Sequence, residues 1–469
     1  MIKLFSNNTI NLPGLLLLVA LASSCKKLIE IPANPPTAIT EAQQFADSAT
    51  AMTAISGVYS YTGFASSGFM YNNAYFTACT SLSSNDLVYT ATYDASMQQF
   101  YTNGVNDLNT LANTLWGNPY TGLYGVNAVL SNISASNVFS ASFKTQITGE
   151  MKLVRAFYYF NTVNLFGDIP LILSTDYKKT SVLPRTPVDG IYTQILSDLA
   201  DAQKALPTTY PSDGRVRPNL YTVLSLLSKV QLYRQQWQAA YDAANSVIGS
   251  GLYTLESDPN MVFLDGSNEA IWQLPATGSN NVTQEASTFI PYSSSIPTYL
   301  LSPALLNAFE TGDLRRSAWV RDYLVKVNGI DQHFFGPYKY KNINATTTPY
   351  TEDYMIFRVA DLYLIRAEAA AHLGKTTEAL ADLDMVRARA GLAASSAVTA
   401  DDIIAAVLRE RRIEFFCEWG NRWFDLKRTG TIDAVLSAEK PGWKPYLALY
   451  PVPRPQRQFN SLLTQNPGY

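Results

Sequence analysis

Apolar and small residues recur at i, i+4 and i+7 in three places along the chain: Ile195, Leu199 and Ala202; Ala240, Ala244 and Val247; Ala379, Leu383 and Val386. That spacing lines one face of a helix. Each set follows another segment with helical patterning, Thr148 to Phe166, Leu220 to Tyr233 and Phe357 to Leu373 respectively. Small side chains at such positions let two antiparallel helices approach closely, so the pattern predicts three helix pairs. Two further helices are expected upstream. One runs from Glu41 to Tyr59; the other runs from Leu111 to Ile133 with Trp116, Tyr120, Leu123 and Asn127 in a stripe, which Gly117, Pro119, Gly122 and Gly125 weaken.

Pairs of this kind follow the packing logic of tetratricopeptide-like repeats, and stacking them buries one continuous core. The fold class expected is therefore mostly α, a scaffold of helix pairs. Between Ser60 and Asn109, and again between Leu255 and Thr351, the helical period fades into Gly, Ser, Thr, Asn, Pro and aromatic residues. Ordinary connections between helices take about 2–8 residues, so insertions this long are where function is expected.

The first 27 residues form a different pattern. Lys3 supplies a positive start, Leu15 to Leu21 an apolar run, and Ala22, Ser23 and Ser24 lead into Cys25. The run is shorter than the roughly 20 residues a membrane span needs, so it reads as a cleaved signal. Residues 1–24 are expected to be a lipoprotein signal peptide, with Cys25 as the lipid attachment site, although Ala22 stands where Leu is usual. Pro32, Pro35 and Pro36 then make residues 25–39 an extended tether.

Bulk properties narrow the function. A chain of 469 residues can bury a large core, and its net charge of −3 with 16 % charged residues offers no basic face for nucleic acid. Cys79 and Cys417 imply no disulfide framework, and His333 and His372 are too few for a histidine-rich metal cluster. No cofactor is called for, and nothing in the residues signals a structural calcium. Tyr is abundant, at 29 residues beside 21 Phe and 7 Trp. Most of these rings must be core, yet a surplus of Tyr with Asn, Ser and Thr also suits neutral polar ligands.

Several runs carry a family likeness. They are Cys25 to Pro32; Arg155-Ala156-Phe157-Tyr158-Tyr159-Phe160; Leu165-Phe166-Gly167-Asp168-Ile169-Pro170; Arg185 to Pro207 with Tyr192 and Asp198-Leu199; and Asn268 to Trp272. Further on come Arg358 to Ala369, Val386 to Leu392, Glu410 to Phe415, Arg422 to Arg428 and the end Gln465 to Tyr469. In kind and order they resemble the SusD/RagB family of outer-membrane lipoproteins that capture nutrients. The resemblance spans nearly all of the chain after the signal and is weakest over residues 60–145 and 275–350. It implies an N-terminal helical region over 40–255 and a C-terminal region over 256–469, packed as one globular body. It also implies a SusC-like TonB-dependent transporter as partner, with this chain as its lid, and an outer-membrane location through the Cys25 lipid, facing the cell exterior.

Family members bind sugars with aromatic rings drawn from regions comparable to the two insertions. In this chain those regions hold Asp86, Tyr89, Tyr93, Phe100, Tyr101 and Asn103, then Tyr292, Tyr299, Trp319, Phe334, Phe335, Tyr338 and Tyr340. The ligand site is expected to draw on Asp86, Tyr89, Tyr93, Tyr101, Asn103, Tyr292, Trp319 and Tyr338, with Tyr89, Tyr93 and Trp319 foremost. An oligosaccharide or polysaccharide is the expected ligand; members similar to RagB make an oligopeptide the alternative.

Charged runs are read as structural. Arg358, Asp361, Arg366 and Glu368 on one helix, and Glu410, Arg411, Arg412 and Glu414 on another, suit buried ion pairs between helices, as do Arg422 and Asp425, while Trp423 and Phe424 suit the core. No HExxH, GxSxG or P-loop run occurs, and no spacing singles out two opposed carboxylates, so neither a glycoside hydrolase nor any other enzyme is expected. A plain helical scaffold is the remaining alternative, though it would have no use for aromatic insertions.

Overall fold

The computed structural model describes residues 39–63, 74–276, 282–292, 295–343 and 352–469. The signal, Cys25 and residues 25–38 of the tether lie outside them. The chain divides after Ala54 into two compact units. In the first, Thr40 closes the short helix Glu41–Gln44 with a capping box.

In the second unit the scaffold is helical. Its main helices are α1 (Thr110–Ala135), α2 (Ala141–Phe166), α3 (Val188–Ala205), α4 (Leu220–Tyr233) and α5 (Trp237–Ile248). After the second insertion come α6 (Val359–His372), α7 (Thr376–Arg389), α8 (Ala400–Glu414) and α9 (Asn421–Arg428). The three predicted pairs form as α2 with α3, α4 with α5, and α6 with α7, and α5 packs on α6. The small residues do what their spacing requires: Ala202, Ala240, Ala244 and Ala379 are wholly buried between helices.

Helix α1 runs unbroken through the glycines and proline that argued against it. Asn109 starts it by accepting the Ala112 amide at 2.9 Å. Gly122 has a packing role: a Cβ there would sit 2.5 Å from Cζ of Tyr158 on α2. The missing side chain is thus what lets α1 and α2 close.

Two bidentate ion pairs repeat the same device in the first and last helix pairs. Arg155 on α2 holds both oxygens of Asp198 on α3, at 2.8 and 2.7 Å, and reaches Asn127 on α1 at 3.0 Å. Arg366 on α6 holds both oxygens of Asp382 on α7, each at 2.7 Å, and reaches Asn245 on α5 at 2.7 Å. Planar forks of this kind fix the register of a helix against its neighbours.

The charged runs of α6 and α8 form a buried network, as their pairing predicts. Arg358 bonds Glu418 at 2.9 Å, Glu269 at 3.2 Å and Glu414. Arg315 bonds Asp313, Glu410 and Glu414, and Arg389 bonds Glu269 and Glu414. Burial alone would raise the Glu414 carboxyl, but Arg389, Arg358 and Arg315 outweigh it and hold the group well below the usual range. Arg411 links Asp361 to Asp425 at 2.7 and 2.8 Å, and Arg428 links Asp425 to Glu368. Arg412 pairs with Asp86. Trp423 and Phe424 are buried. Cys79 and Cys417 are buried free thiols, and His372 stacks on Trp237 at 3.8 Å.

Strands are short, five of them within the insertions, β1 (Leu87–Tyr89), β2 (Ala270–Pro275), β3 (Tyr299–Leu301), β4 (Val320–Val327) and β5 (Ile330–Pro337), with β6 (Asp353–Arg358) just after the second. They pair antiparallel as β1 with β3, β2 with β6 and β4 with β5. The first insertion is less irregular than expected, because it contains the helices Ala74–Ser83 and Ala95–Tyr101. The former is buried on nearly every face, which erases the amphipathic period that would have marked it.

Candidate functional site

The two insertions meet through β1 and β3. Their register sets Tyr89 opposite Tyr299, with ring centroids 5.4 Å apart. Beyond β1 the chain turns at Tyr93, whose side chain is 81 % exposed, and Asp94 caps the helix Ala95–Tyr101 by accepting the Met97 amide at 3.0 Å. Burial, then the neighbouring Tyr93 and Asp94, push the Tyr89 phenol well above its ordinary value. Tyr75 on the helix Ala74–Ser83 is raised by the same three influences, which places it in this tyrosine cluster.

A hairpin adjoins the cluster. Strands β4 and β5 pair from Val320 with Pro337 to Val327 with Ile330, leaving the two-residue turn Asn328-Gly329. Both turn residues have positive φ, 52° and 83°, as a type I′ hairpin turn requires. At the base, Gly336 faces Arg321, and a Cβ on it would lie 3.0 Å from the Tyr323 ring and 3.5 Å from the Tyr299 carbonyl oxygen. The absent side chain makes a notch that receives Tyr323 and brings β3 against β5.

Next to that notch opens a groove of about 400 Å³, lined by Pro291, Tyr292, Ser295, Arg321, Tyr323 and Ile343 among others. Tyr292 is 69 % exposed. The Arg321 guanidinium lies 5.2 Å from the Tyr323 ring centre and 5.1 Å from that of Tyr338. Burial pushes the Tyr323 phenol up to about 12, so it stays a neutral donor, and its hydroxyl is buried with no hydrogen-bond partner among the described residues. Asp322 borders the groove, but its carboxylate is turned to His333 Nδ1 at 2.9 Å. Exposed aromatic surface, a cation and the unspent Tyr323 hydroxyl suit a ligand with both flat apolar faces and polar edges.

Of the residues expected in the site, Tyr93 and Tyr292 present exposed rings, and Tyr338 is half-buried beneath Arg321. Tyr101 is half-buried, with the Lys440 ammonium 5.1 Å above its ring. Tyr89 is buried and serves the cluster as packing against Tyr299. Tyr89 is thus one corrected expectation, and three more join it. Trp319 is wholly buried: its Nε1 donates to the Pro259 carbonyl at 2.8 Å and its ring lies among Phe263, Phe416 and Lys339, so it has no face for a ligand. Asp86 is wholly buried and paired with Arg412. Asn103 spends both ends of its amide inside, donating to Ser83 O at 3.1 Å and accepting from Lys440 at 3.2 Å. Cys25 lies outside the described residues. Phe100, Tyr299 and Tyr340 are core, while Phe334 and Phe335 are half-buried.

Arg321 and Tyr323 were not anticipated. The signal was present, since Val320 to Val327 and Ile330 to Pro337 flank Asn328-Gly329, a strong short-range hairpin marker.

Other hollows differ in character. A cleft of about 630 Å³ runs beside α1 with Trp116 as its buried floor and Phe459 on its rim, and one of about 460 Å³ is lined by paired charges such as Glu310 with Arg387. The first lies outside the two insertions, and the second is closed by Glu310 and Arg315 of the second insertion against α7 and α8.

A family model described as "SusD family" matches residues 329–447, and one described as "Starch-binding associating with outer membrane" matches residues 41–232. The chain belongs to the SusD family. SusD-like protein P25 of Formosa agariphila is 26 % identical over 422 residues, covering 76 % of this chain and 79 % of that protein. A SusD superfamily protein from Bacteroides vulgatus shares the fold with a TM-score of 0.79 at 20 % identity, covering 91 % of this chain and all of that one. A laminarin-binding SusD-like protein has a TM-score of 0.76 at 25 % identity, covering 90 % of this chain and 100 % of that one. The mostly helical SusD architecture is thus common to this chain and both solved structures. Among the described residues, no helix is long and apolar enough to cross a membrane.

Proposed function

We propose that this SusD-family protein captures oligosaccharides at the outer-membrane surface and passes them unaltered to a TonB-dependent transporter of the SusC kind. The observation that carries the reading is the groove beside the hairpin, where the exposed ring of Tyr292 stands next to Arg321. A pyranose has axial C–H groups that rest on the face of an aromatic ring, and hydroxyls at its rim that need polar partners. Tyr292 supplies a face; Arg321 and Tyr323 supply donors. Tyr93 offers a second exposed ring at the end of the tyrosine cluster. The laminarin-binding relative supports a glycan as ligand.

Capture without turnover suits the groove's chemistry. Glycoside hydrolysis works through two carboxylates across the scissile bond, and Asp322, the acid bordering this groove, is engaged by His333. Aromatic contacts contribute about 0.5–1.5 kcal/mol each and are offset by the entropy of association, so binding is weak. A dissociation constant near ~0.1 mM with association at about 10⁶ M⁻¹s⁻¹ gives release at roughly 10² s⁻¹, fast enough to feed a transporter. In this reading Cys25 carries the lipid, the tether over 25–39 acts as hinge, and the body opens and closes over the transporter mouth as a lid.

The test is a glycan array together with a peptide library, run on lipid-free protein and on Tyr292→Ala and Tyr93→Ala. Glycan binding that weakens in Tyr292→Ala supports the proposal. Selective retention of peptides with no glycan bound overturns the glycan assignment, and failure to co-purify with a barrel transporter from membranes overturns the delivery role.

A further inference from the structure

Resting on the capture reading above, we propose that the groove selects glycans carrying negative charge, a uronate carboxylate or a sulfate ester, and that Arg321 is the residue that receives it. The argument begins with alternation along the hairpin. Successive residues of a strand point to opposite faces, so Arg321, Tyr323 and Val325 share one face of β4 with Phe334 and Gly336 of β5. That face holds a single formal charge, Arg321. Both acids of the hairpin fall on the other face, where Asp322 pairs with His333 at 2.9 Å and Asp331 with Lys326 at 3.5 Å.

Arg321 therefore reaches the groove with no carboxylate bonded to it, and Asp322, which also borders the groove, is held by His333. Its Nη1 has the Tyr338 hydroxyl at 3.5 Å, too long to satisfy a guanidinium that offers five N–H donors. The remaining lining, including Pro291, Tyr292, Ser295 and Ile343, is uncharged. The internal segments outside the described residues, 64–73, 277–281, 293–294 and 344–351, contain no Asp or Glu in their sequence. Asp322, the nearest acid along the chain, is further offset by Arg316, whose guanidinium lies over Phe335 at 4.6 Å and feels the Asp322 charge.

The cation is also pre-oriented. Two tyrosine rings hold it at 5.2 and 5.1 Å, so the planar fork loses little freedom when a ligand arrives. A fork of this shape matches the two oxygens of a carboxylate or sulfate bidentately, whereas a hydroxyl uses only one of its donors. A guanidinium reserved for sugar hydroxyls would gain nothing from having every neighbouring acid turned to the opposite face. An anion on the sugar would.

Calorimetric titration with purified oligosaccharides of equal length tests this: oligogalacturonate for the carboxylate, sulfated galactan fragments for the sulfate, and laminari-oligosaccharide as the neutral ligand. At least one charged ligand is expected to bind about tenfold or more tighter than the neutral one, since bonds to ionised groups outweigh neutral ones by roughly that factor. Arg321→Gln should erase the preference, bringing the charged ligands down to the affinity of the neutral one, which itself weakens by the loss of a donor. Arg321→Lys, which keeps the charge and loses the fork, should retain part of it, and Lys326→Gln on the opposite face should change nothing. Equal or tighter binding of the neutral ligand, with Arg321→Gln without effect, overturns the charge assignment and leaves sugar capture standing. Absence of binding by all three ligands overturns both.

Discussion

Arg358 and Arg321 are close in sequence and opposite in setting. Arg358 lies inside the body, where Glu269, Glu414 and Glu418 surround its guanidinium and the Phe415 ring lies 4.4 Å away. Arg321 lies at the edge of a groove, between two tyrosine rings, with the nearest carboxylates on the far side of its strand. In the first case every donor is consumed, so the arginine can only hold the fold together. In the second the donors are left over, so the same side chain is available to something outside. What separates structure from recognition here is the pairing of the charge, since both guanidiniums have aromatic faces beside them.

The sharpest way to break that comparison is to free a charge in the interior. Glu414→Gln strips one partner from Arg315, Arg358 and Arg389 together and is expected to cost about 3–5 kcal/mol of stability, read by urea unfolding, while glycan affinity of the folded protein stays unchanged. If stability survives, the network is not the clamp its geometry suggests. Next in size is the contact between α1 and α2. Gly122→Ala should gain roughly 1 kcal/mol of helix propensity yet lose about 1–3 kcal/mol to the collision with Tyr158, a net fall in melting temperature. At the groove the expected outcome reverses. Tyr292→Ala should leave unfolding unchanged and weaken glycan binding by about 0.5–1.5 kcal/mol, measured by titration.

A further effect is one of pH. Glu285 is buried, and burial pushes its carboxyl up to about 8, with Tyr354 in hydrogen-bonding reach. Because the folded form holds the proton more tightly than the unfolded chain, this group's contribution is fully present below about pH 4.5 and is lost as pH rises towards 8. Glu285→Gln should therefore flatten the decline in stability between those values, and an unchanged profile would show that the carboxyl is solvated. Glu414 runs the other way: its depressed value contributes stability above about pH 4.5 that is lost on further acidification.

Much of the scaffold was legible because helix pairing leaves a periodic trace. The positions Ala202, Ala240, Ala244 and Ala379 were found by spacing alone, and the charged runs of α6 and α8 were rightly taken as internal ion pairs. One stronger signal went unread: Leu153-Val154-Arg155-Ala156 with Asp198-Leu199, and Leu364-Ile365-Arg366-Ala367 with Asp382-Leu383, spell the same interhelical fork twice. The site was less legible. An aromatic residue in an insertion carries no mark of which way it faces, and Trp319 and Tyr292 differ in nothing local except what lies next to them in space. Trp319 looked like a platform and is a keystone of packing. Asp86 and Asn103 were expected as ligand contacts from the family resemblance, yet the insertions are folded deeply enough to bury both.

The turn Asn328-Gly329 has a consequence beyond closing a hairpin. Side-chain direction in a strand alternates with each residue, so a slip of one position between β4 and β5 would exchange the two surfaces of the ribbon. Arg321 and Tyr323 would then turn away from the groove, and its surroundings would change without a single substitution in the binding surface. Loop length at the hairpin tip thus decides which of the ribbon's two sets of side chains borders the groove, and gaining or losing a single codon there would change it.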